Sequence, residues 1–483
     1  MNQLTTILFL LLSTCCSTAQ YRFDQNKVSP SIQKIISKLE KEGEVMGSAV
    51  YYSGERPEQY NNFTKLLEKA SKEELMELTN HPNGVVRCYA FWALSSDSTV
   101  RLLPVLVDHL NDTARVFTQF GCVGGREKVG DFFINITTMR GEAGSASEKL
   151  TASELAFLDS LLLYTPNMPL SARYNALDRA KPTEGLYKRV REIVLMENEP
   201  SAVILLAKYK KEEDIPLILS EGQRDNLYYT YQAIAAFPHP DFFPFLRRKL
   251  EHAMISRQGD SEWRILYQAI ASYKNDSAFV LLQIPYNRLT DDKNWREHHL
   301  SYVFQAIMKY YSPEFDPLLW SLWENDTYLS EDAFMVLYPK DRNRAFQLAK
   351  MTMAHPAEFY KTTEGNNSAG MWDRIMDLVC RTDRVNGIEL IGKSIAEANV
   401  HQFGFFADKA LEMGDSSLVS ALFDRLEKEW NAHVYLKIIG VLLQFKDPEI
   451  NSRIGEVVKR NPALTKDWGG KIVEELLLKN GIK

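Results

Sequence analysis

The residues of this chain best suited to chemistry are its cysteines, its histidines and one glycine-rich run. Of five cysteines, Cys15 and Cys16 lie near the N-terminus, and Cys88, Cys122 and Cys380 lie in the body. Three body cysteines do not make a disulfide framework. Cys88 and Cys122 are spaced by about one helical repeat, so an oxidising compartment could join them. The alternative is two buried, inert thiols, a common state of free cysteine. A cysteine nucleophile needs a histidine and an orienting group beside it. None of the three has a recognisable flanking signature, which leaves open a site assembled in space around Cys122.

The run Gly121-Cys122-Val123-Gly124-Gly125-Arg126-Glu127-Lys128-Val129-Gly130 invites a phosphate-binding reading, and the spacing refuses it. A P-loop needs Gly-Lys-Ser/Thr, so that backbone N–H groups cradle the phosphate while lysine neutralises it. Here Lys128 is followed by Val129. No strand–helix–strand pattern surrounds the run, which also excludes a dinucleotide fingerprint. An irregular surface insertion remains. Gly121, Cys122, Gly124, Gly125, Arg126 and Lys128 form a candidate interaction loop, because binding tends to sit on loops held by a scaffold.

Other polar clusters carry less. His298 and His299 are adjacent, so they point to different helix faces, whereas a zinc protease needs histidines at i and i+4. They read as surface or inter-helix polar residues. Glu212-Glu213-Asp214 and Glu474-Glu475 read as solvated faces or helix N-terminal charges. No Gly-x-Ser-x-Gly elbow occurs. No catalytic residue, cofactor site or metal site is therefore expected, and the chain is read as a non-enzyme. Tyr228, Tyr229 and Tyr231, and Trp320 with Trp323, could grip a peptide or a glycan. The i, i+3 spacing of the tryptophans favours core packing. Asp97-Ser98-Thr99, Asp112-Thr113-Ala114 and Asp276-Ser277-Ala278 resemble the short O-glycosylation acceptor motif of exported proteins in Bacteroidetes-type bacteria.

The 483 residues exceed what one compact core can hold, so the chain is several domains or one elongated array. Hydrophobic residues make up 45%, enough to bury a core. The net charge of −6 is mild and spread out, with no basic face for nucleic acid. Leu4 to Leu12 is an apolar run followed by small and polar residues, the pattern of an export signal. Cleavage after Ala19 leaves Gln20 first; lipidation of Cys15 or Cys16 is the competing outcome. No later apolar run approaches the roughly 18 residues of a membrane helix. The chain is expected to be exported, periplasmic or outer-membrane-associated.

The elements that must position these residues announce themselves by repetition. Tyr231-Gln232-Ala233-Ile234 returns as Tyr267-Gln268-Ala269-Ile270 and as Phe304-Gln305-Ala306-Ile307, at intervals of 36 and 37 residues. A fixed period of this length marks stacked helix pairs. Upstream, a turn at His81-Pro82-Asn83-Gly84 precedes Val86-Arg87-x-x-Ala90-x-x-Ala93-Leu94, which resembles the second helix of a HEAT repeat. Asn111-Asp112-x-x-x-Val116 is similar to that family's turn-to-helix junction, with Phe117 where arginine is usual. The resemblance implies that Arg87 lies along the ridge between repeats and that Ala90 and Ala93 allow close helix approach. The expected fold is all-α, a right-handed HEAT-like α-solenoid of antiparallel helix pairs with a short irregular or β-containing insertion near 121–147.

Along the chain, a signal at 1–19 precedes HEAT-like helices at 30–140 and a helical-repeat array at 150–483. Helices are expected at Ile32–Glu42, Tyr60–Ala70 and Lys72–Thr79, with a loop at 47–57 in which Ala49–Tyr52 could be extended. The aromatic and β-branched stretch Asp131–Met139 suggests an extended segment or hairpin. Polar loops are expected at 141–147 and 362–370, and Ser153 as a helix cap. The implied function is a non-catalytic scaffold of the cell envelope that binds a protein or peptide. An enzyme with a site near Cys122 and a purely structural envelope protein are the alternatives.

Overall fold

A computed structural model describes residues 22–138, 149–256, 262–289, 292–356, 358–359, 368–466 and 468–482. The expected signal with Cys15 and Cys16, the loop at 141–147 and residues 362–367 of the second polar loop lie outside these residues. The chain is predominantly α, 71% helix, with a small three-stranded sheet near the N-terminus. It divides into two compact units, Met1–Ala233 and Ile234–Lys483. The division falls inside the first Gln-Ala-Ile phrase.

In the first unit, α1 (Pro30–Glu42) buries Ile32, Ile35, Ile36 and Leu39, a single i, i+3, i+4, i+7 stripe. Gly43 ends it at a φ of 73°, a left-handed conformation that glycine adopts at little cost. The chain then enters β1 (Glu44–Val50), which takes in the first residues of the expected loop at 47–57, and after an irregular stretch continues through α2 (Glu58–Lys69), α3 (Lys72–Leu78), α4 (Gly84–Leu94) and α5 (Leu102–Asp108). Ser71 and Glu74 form a reciprocal capping box at the start of α3. Asn83 caps α4, as the turn before it suggests. Every residue of α4 from Val85 to Leu94 is buried, the mark of a central helix. Helix α1 packs on α2, and α3 packs on α4.

The insertion is a hairpin, β2 (Arg115–Gly121) and β3 (Val123–Lys128), followed by α6 (Val129–Thr138). Strand β2 lies in the middle, parallel to β1 and antiparallel to β3. Two expectations are corrected here. Val116 opens no helix; it sits within β2. The stretch expected to be extended from Asp131 is helical, and all but one of its residues from Val129 to Thr137 are buried. Burial decides this, because β-propensity is weak beside side-chain packing. Phe133 stacks on Phe91 of α4 with ring centroids 4.0 Å apart and planes 8° from parallel. The Thr137 hydroxyl donates to the Ile134 carbonyl at 2.8 Å, which satisfies a buried polar group without leaving the helix.

Arg87 holds this core to the insertion. Its Nε and Nη2 donate to Asp112 Oδ2 and Oδ1 at 2.8 and 3.0 Å, and its Nη1 donates to the His81 and Pro82 carbonyls at 2.6 and 2.9 Å. Arg87 and Asp112 thus meet in a buried bidentate pair. Further on come α7 (Ala152–Tyr164) and α8 (Arg173–Arg179), which pack together. The cap of α7 is Thr151, paired with Glu154, and not Ser153. Asp214 is not solvated: it is buried, it forms an ion pair with Arg191 at 2.8 Å, and it accepts from the Tyr187 hydroxyl at 2.8 Å.

The second unit is helical from Phe243–Ile255 through Trp468–Lys479, and helices close in sequence pack on one another. The second and third phrases fall in helices Trp263–Ala271 and Lys293–Lys309, with Ala269, Ile270, Ala306 and Ile307 all fully buried. Gln268 Oε1 accepts from Lys309 Nζ at 2.7 Å, so this amide ties the two helices together. Trp320 and Trp323 are buried, and Trp323 Nε1 donates to Thr352 Oγ1 at 3.0 Å. His299 is buried too, 2.7 Å from the Tyr267 hydroxyl through Nδ1 and stacked on Trp263. Burial lowers its pKa to about 4. Among the described residues no helix is long and apolar enough to cross a membrane.

Candidate functional site

The hairpin gathers the interaction-loop residues. Its two-residue connection is Gly121-Cys122, and Gly121 has a φ of 55°. Positive φ at Gly121 and not at Cys122 matches a type II′ turn, whose twist suits the strands it joins. Val50 of β1 lies opposite Gly121, and Tyr51 N–H donates to the Gly121 carbonyl at 2.9 Å. The Cys122 thiol is exposed at this tip and donates to the Tyr51 carbonyl at 3.6 Å. Cys88 sits fully buried in α4, where desolvation raises its pKa. Both are free thiols, so the spacing does not join them.

Gly124 lies beside β2 on the face that carries Gln119 and Phe117. A Cβ there would come 2.2 Å from Gln119 Oε1, so the missing side chain lets the Gln119 amide fold over the strand and donate to the Gly121 carbonyl at 2.9 Å. Gly125 faces open space, with nothing within 4 Å of a Cβ. Beyond it, Arg126 lies opposite Phe117, and Lys128 opposite Arg115. The tip also exposes apolar surface: Tyr52 is 100% exposed and Val123 is 77% exposed.

At the base of the hairpin a cleft of about 290 Å³ is lined by Arg115, Arg126, Glu127 and Lys128 from the strands, Asp131 and Asn135 from α6, and Ser171, Ala172 and Asn175 at the start of α8. Lys128 Nζ donates to the Pro169 carbonyl. Asp131 accepts from the Ser171 and Ala172 N–H groups at 3.1 and 2.8 Å, so its charge is taken up at a helix start. Asn135 donates to the Glu127 carboxyl. Burial, opposed by that bond and assisted by the Asp131 charge, pushes Glu127 up to about 7. Arg115 and Arg126 are exposed and, among the described residues, have no ion-pair partner.

Two unpaired guanidiniums beside a carboxyl that is half protonated near neutral pH can take an anion. A guanidinium presents a planar fork of donors that matches a carboxylate. Glu127, Asp131 and Asn135 escaped attention in the sequence because they look like ordinary residues of an extended run. Only the helical turn of α6 directs Asp131 and Asn135 back toward Glu127 on the hairpin. The signal for the hairpin was present: alternating Val116, Thr118 and Phe120, then Gly-x as a two-residue turn.

The second unit has a cleft of about 460 Å³ beside Trp430, lined also by Asp424, Arg425 and Lys428. Among the described residues no group of three His, Cys, Asp or Glu side chains is placed to hold a metal ion. Comparison of the chain with protein-family models, with curated proteins and with solved structures gives no match.

Proposed function

We propose that this chain is an exported HEAT-like α-solenoid that binds a partner protein in the cell envelope without catalysis, with the hairpin as its contact region. One observation carries the reading: the hairpin bears Arg115 and Arg126, which have no ion-pair partner among the described residues, in the cleft at its base, and exposed Val123 at its tip, where exposed Tyr52 follows β1. Aromatic and arginine side chains dominate binding energy at protein interfaces. The solenoid assignment is supported by the Ala-Ile pairs buried at each phrase of the second unit and by the Arg87–Asp112 pair. Export rests on the apolar run from Leu4 to Leu12.

The exposed thiol supplies the test. With Cys380 changed to serine, a photo-crosslinker placed on Cys122 is activated in a cell-envelope preparation. The expected result is one dominant adduct, lost when Arg115 and Arg126 are both changed to glutamate. An adduct unaffected by that reversal, or none at all, refutes the reading. A second reading, an enzyme near Cys122, is favoured by Glu127, since a carboxyl near pH 7 in a cleft suits general acid–base work.

A further inference from the structure

The two edges of the sheet are treated differently. The outer edge of β1 is closed by side chains. The Met46 N–H donates to the Tyr89 hydroxyl at 2.7 Å, and the Glu44 carbonyl accepts from the Gln59 amide at 2.8 Å. Tyr89 and Gln59 are themselves buried, so that edge is sealed by the core. The outer edge of β3 has no such cover among the described residues. In an antiparallel pair, successive residues point their N–H and C=O alternately toward the partner strand and away from it. The Val129 N–H to Ala114 carbonyl bond, 2.9 Å, sets the phase of the ladder. Val123, Gly125 and Glu127 therefore pair with β2, and Gly124 and Arg126 direct their backbone groups outward. An edge of this kind is a template for another strand, and proteins normally blunt it.

Resting on the scaffold reading above, we propose that the β3 edge receives an extended acidic segment of the partner protein. The segment adds as a fourth strand along Gly124 and Arg126, and its carboxylates are taken by Arg115 and Arg126. Gly124 and Gly125 carry no side chains to hinder an approaching strand. Tyr52 and Val123, exposed at the tip, offer apolar contact to the end of the segment. Charge decides among occupants. A second copy of the chain would bring its own Arg126 and Lys128 against these, like charge on like. A nucleic acid would satisfy the arginines, but it has no alternating donors and acceptors to match the strand edge. An acidic peptide satisfies both the backbone and the side chains, as in other cases of strand addition.

The test uses the full chain and a fluorescein-labelled octapeptide alternating glutamate and valine. Its comparators are the lysine–valine octapeptide, the glutamate–valine peptide N-methylated at every second residue, and a single-stranded DNA of equal charge. The first peptide is expected to bind, and its binding to slow amide exchange at Gly124 and Arg126 while Gly125 and Glu127 stay as slow as before. Arg126→Ala and N-methylation are each expected to weaken binding about tenfold, the scale of one lost charge-assisted bond or of the lost ladder bonds. Undetectable peptide binding overturns the proposal. So does equal binding of the N-methylated peptide, tighter binding of DNA, or peptide-displaceable dimers of the chain. If the crosslink from Cys122 still captures one arginine-dependent partner in those cases, only the edge assignment falls and the scaffold reading stands.

Discussion

Removing Asp112 should loosen the whole first unit. The Arg87 and Asp112 side chains are only 4% and 2% exposed, and they meet in a bidentate pair at 2.8 and 3.0 Å. Asp112→Ala takes the carboxylate from a buried guanidinium, and it orphans the Ala114 N–H that donates to Asp112 Oδ1 at 3.2 Å. Breaking one side of a buried pair costs about 3–5 kcal/mol. Cys88 is a convenient reporter, because it is fully buried in the same helix as Arg87 and reacts only when the unit opens. In a chain whose other cysteines are serine, a thiol reagent should label Asp112→Ala about two to three and a half orders of magnitude faster than the parent, at about 1.4 kcal/mol per tenfold. Arg87→Met combined with Asp112→Ala removes the stranded charge and should recover part of that loss. Acid should reproduce it. Burial raises the Asp112 carboxyl, but hydrogen bonds from His109 and Arg87 outweigh this and hold it below its ordinary value. The stability it contributes is therefore present at neutral pH and lost as pH falls through that lowered pKa. Labelling of Asp112→Ala within threefold of the parent, or a double variant as labile as the single one, would refute the reasoning.

Other expectations follow from the same physics. Gly130→Ala would place a Cβ 2.8 Å from the His109 carbonyl and 2.9 Å from Leu170, both fixed by packing, so a thermal melt should show a loss of about 1–3 kcal/mol. Glu127, raised to about 7 in the fold, favours the folded state in its protonated form. The parent should lose stability as pH rises from about 4.5, the ordinary carboxyl value, to about 7, and Glu127→Gln should flatten that slope in melts across the range. His299 has the opposite sign. It is held neutral down to about 4, so the second unit should weaken as pH falls from about 6.5 toward 4, and His299→Leu should remove that slope while orphaning the Tyr267 hydroxyl.

The helices were legible because their signals are local. An i, i+3, i+4 stripe such as Ile32, Ile35, Ile36 and Leu39 must bury one face, and the glycine at 43 stops it whatever lies nearby. The Gln-Ala-Ile phrases announced helices for the same reason, and their burial follows from small and branched residues on one face. The resemblance around Arg87 identified a residue that matters, although its partner Asp112 was placed at the head of a helix that does not exist.

Tertiary structure decided the rest. Phe132, Phe133 and Ile134 have the composition of a strand and form a helix, because stacking on Phe91 and α4 outweighs a preference worth a fraction of that burial. Whether Cys88 meets Cys122 depends on which way a hairpin tip points, and spacing does not encode that. The cleft joins two strands, α6 and the start of α8, and no residue in it has a sequence neighbour that marks its role. Composition and periodicity settled that the chain is mostly helical. The open edge of β3, with Arg126 on it, is the one edge of the sheet that no described side chain closes, because β1 at the other edge is sealed by Tyr89 and Gln59 of the core.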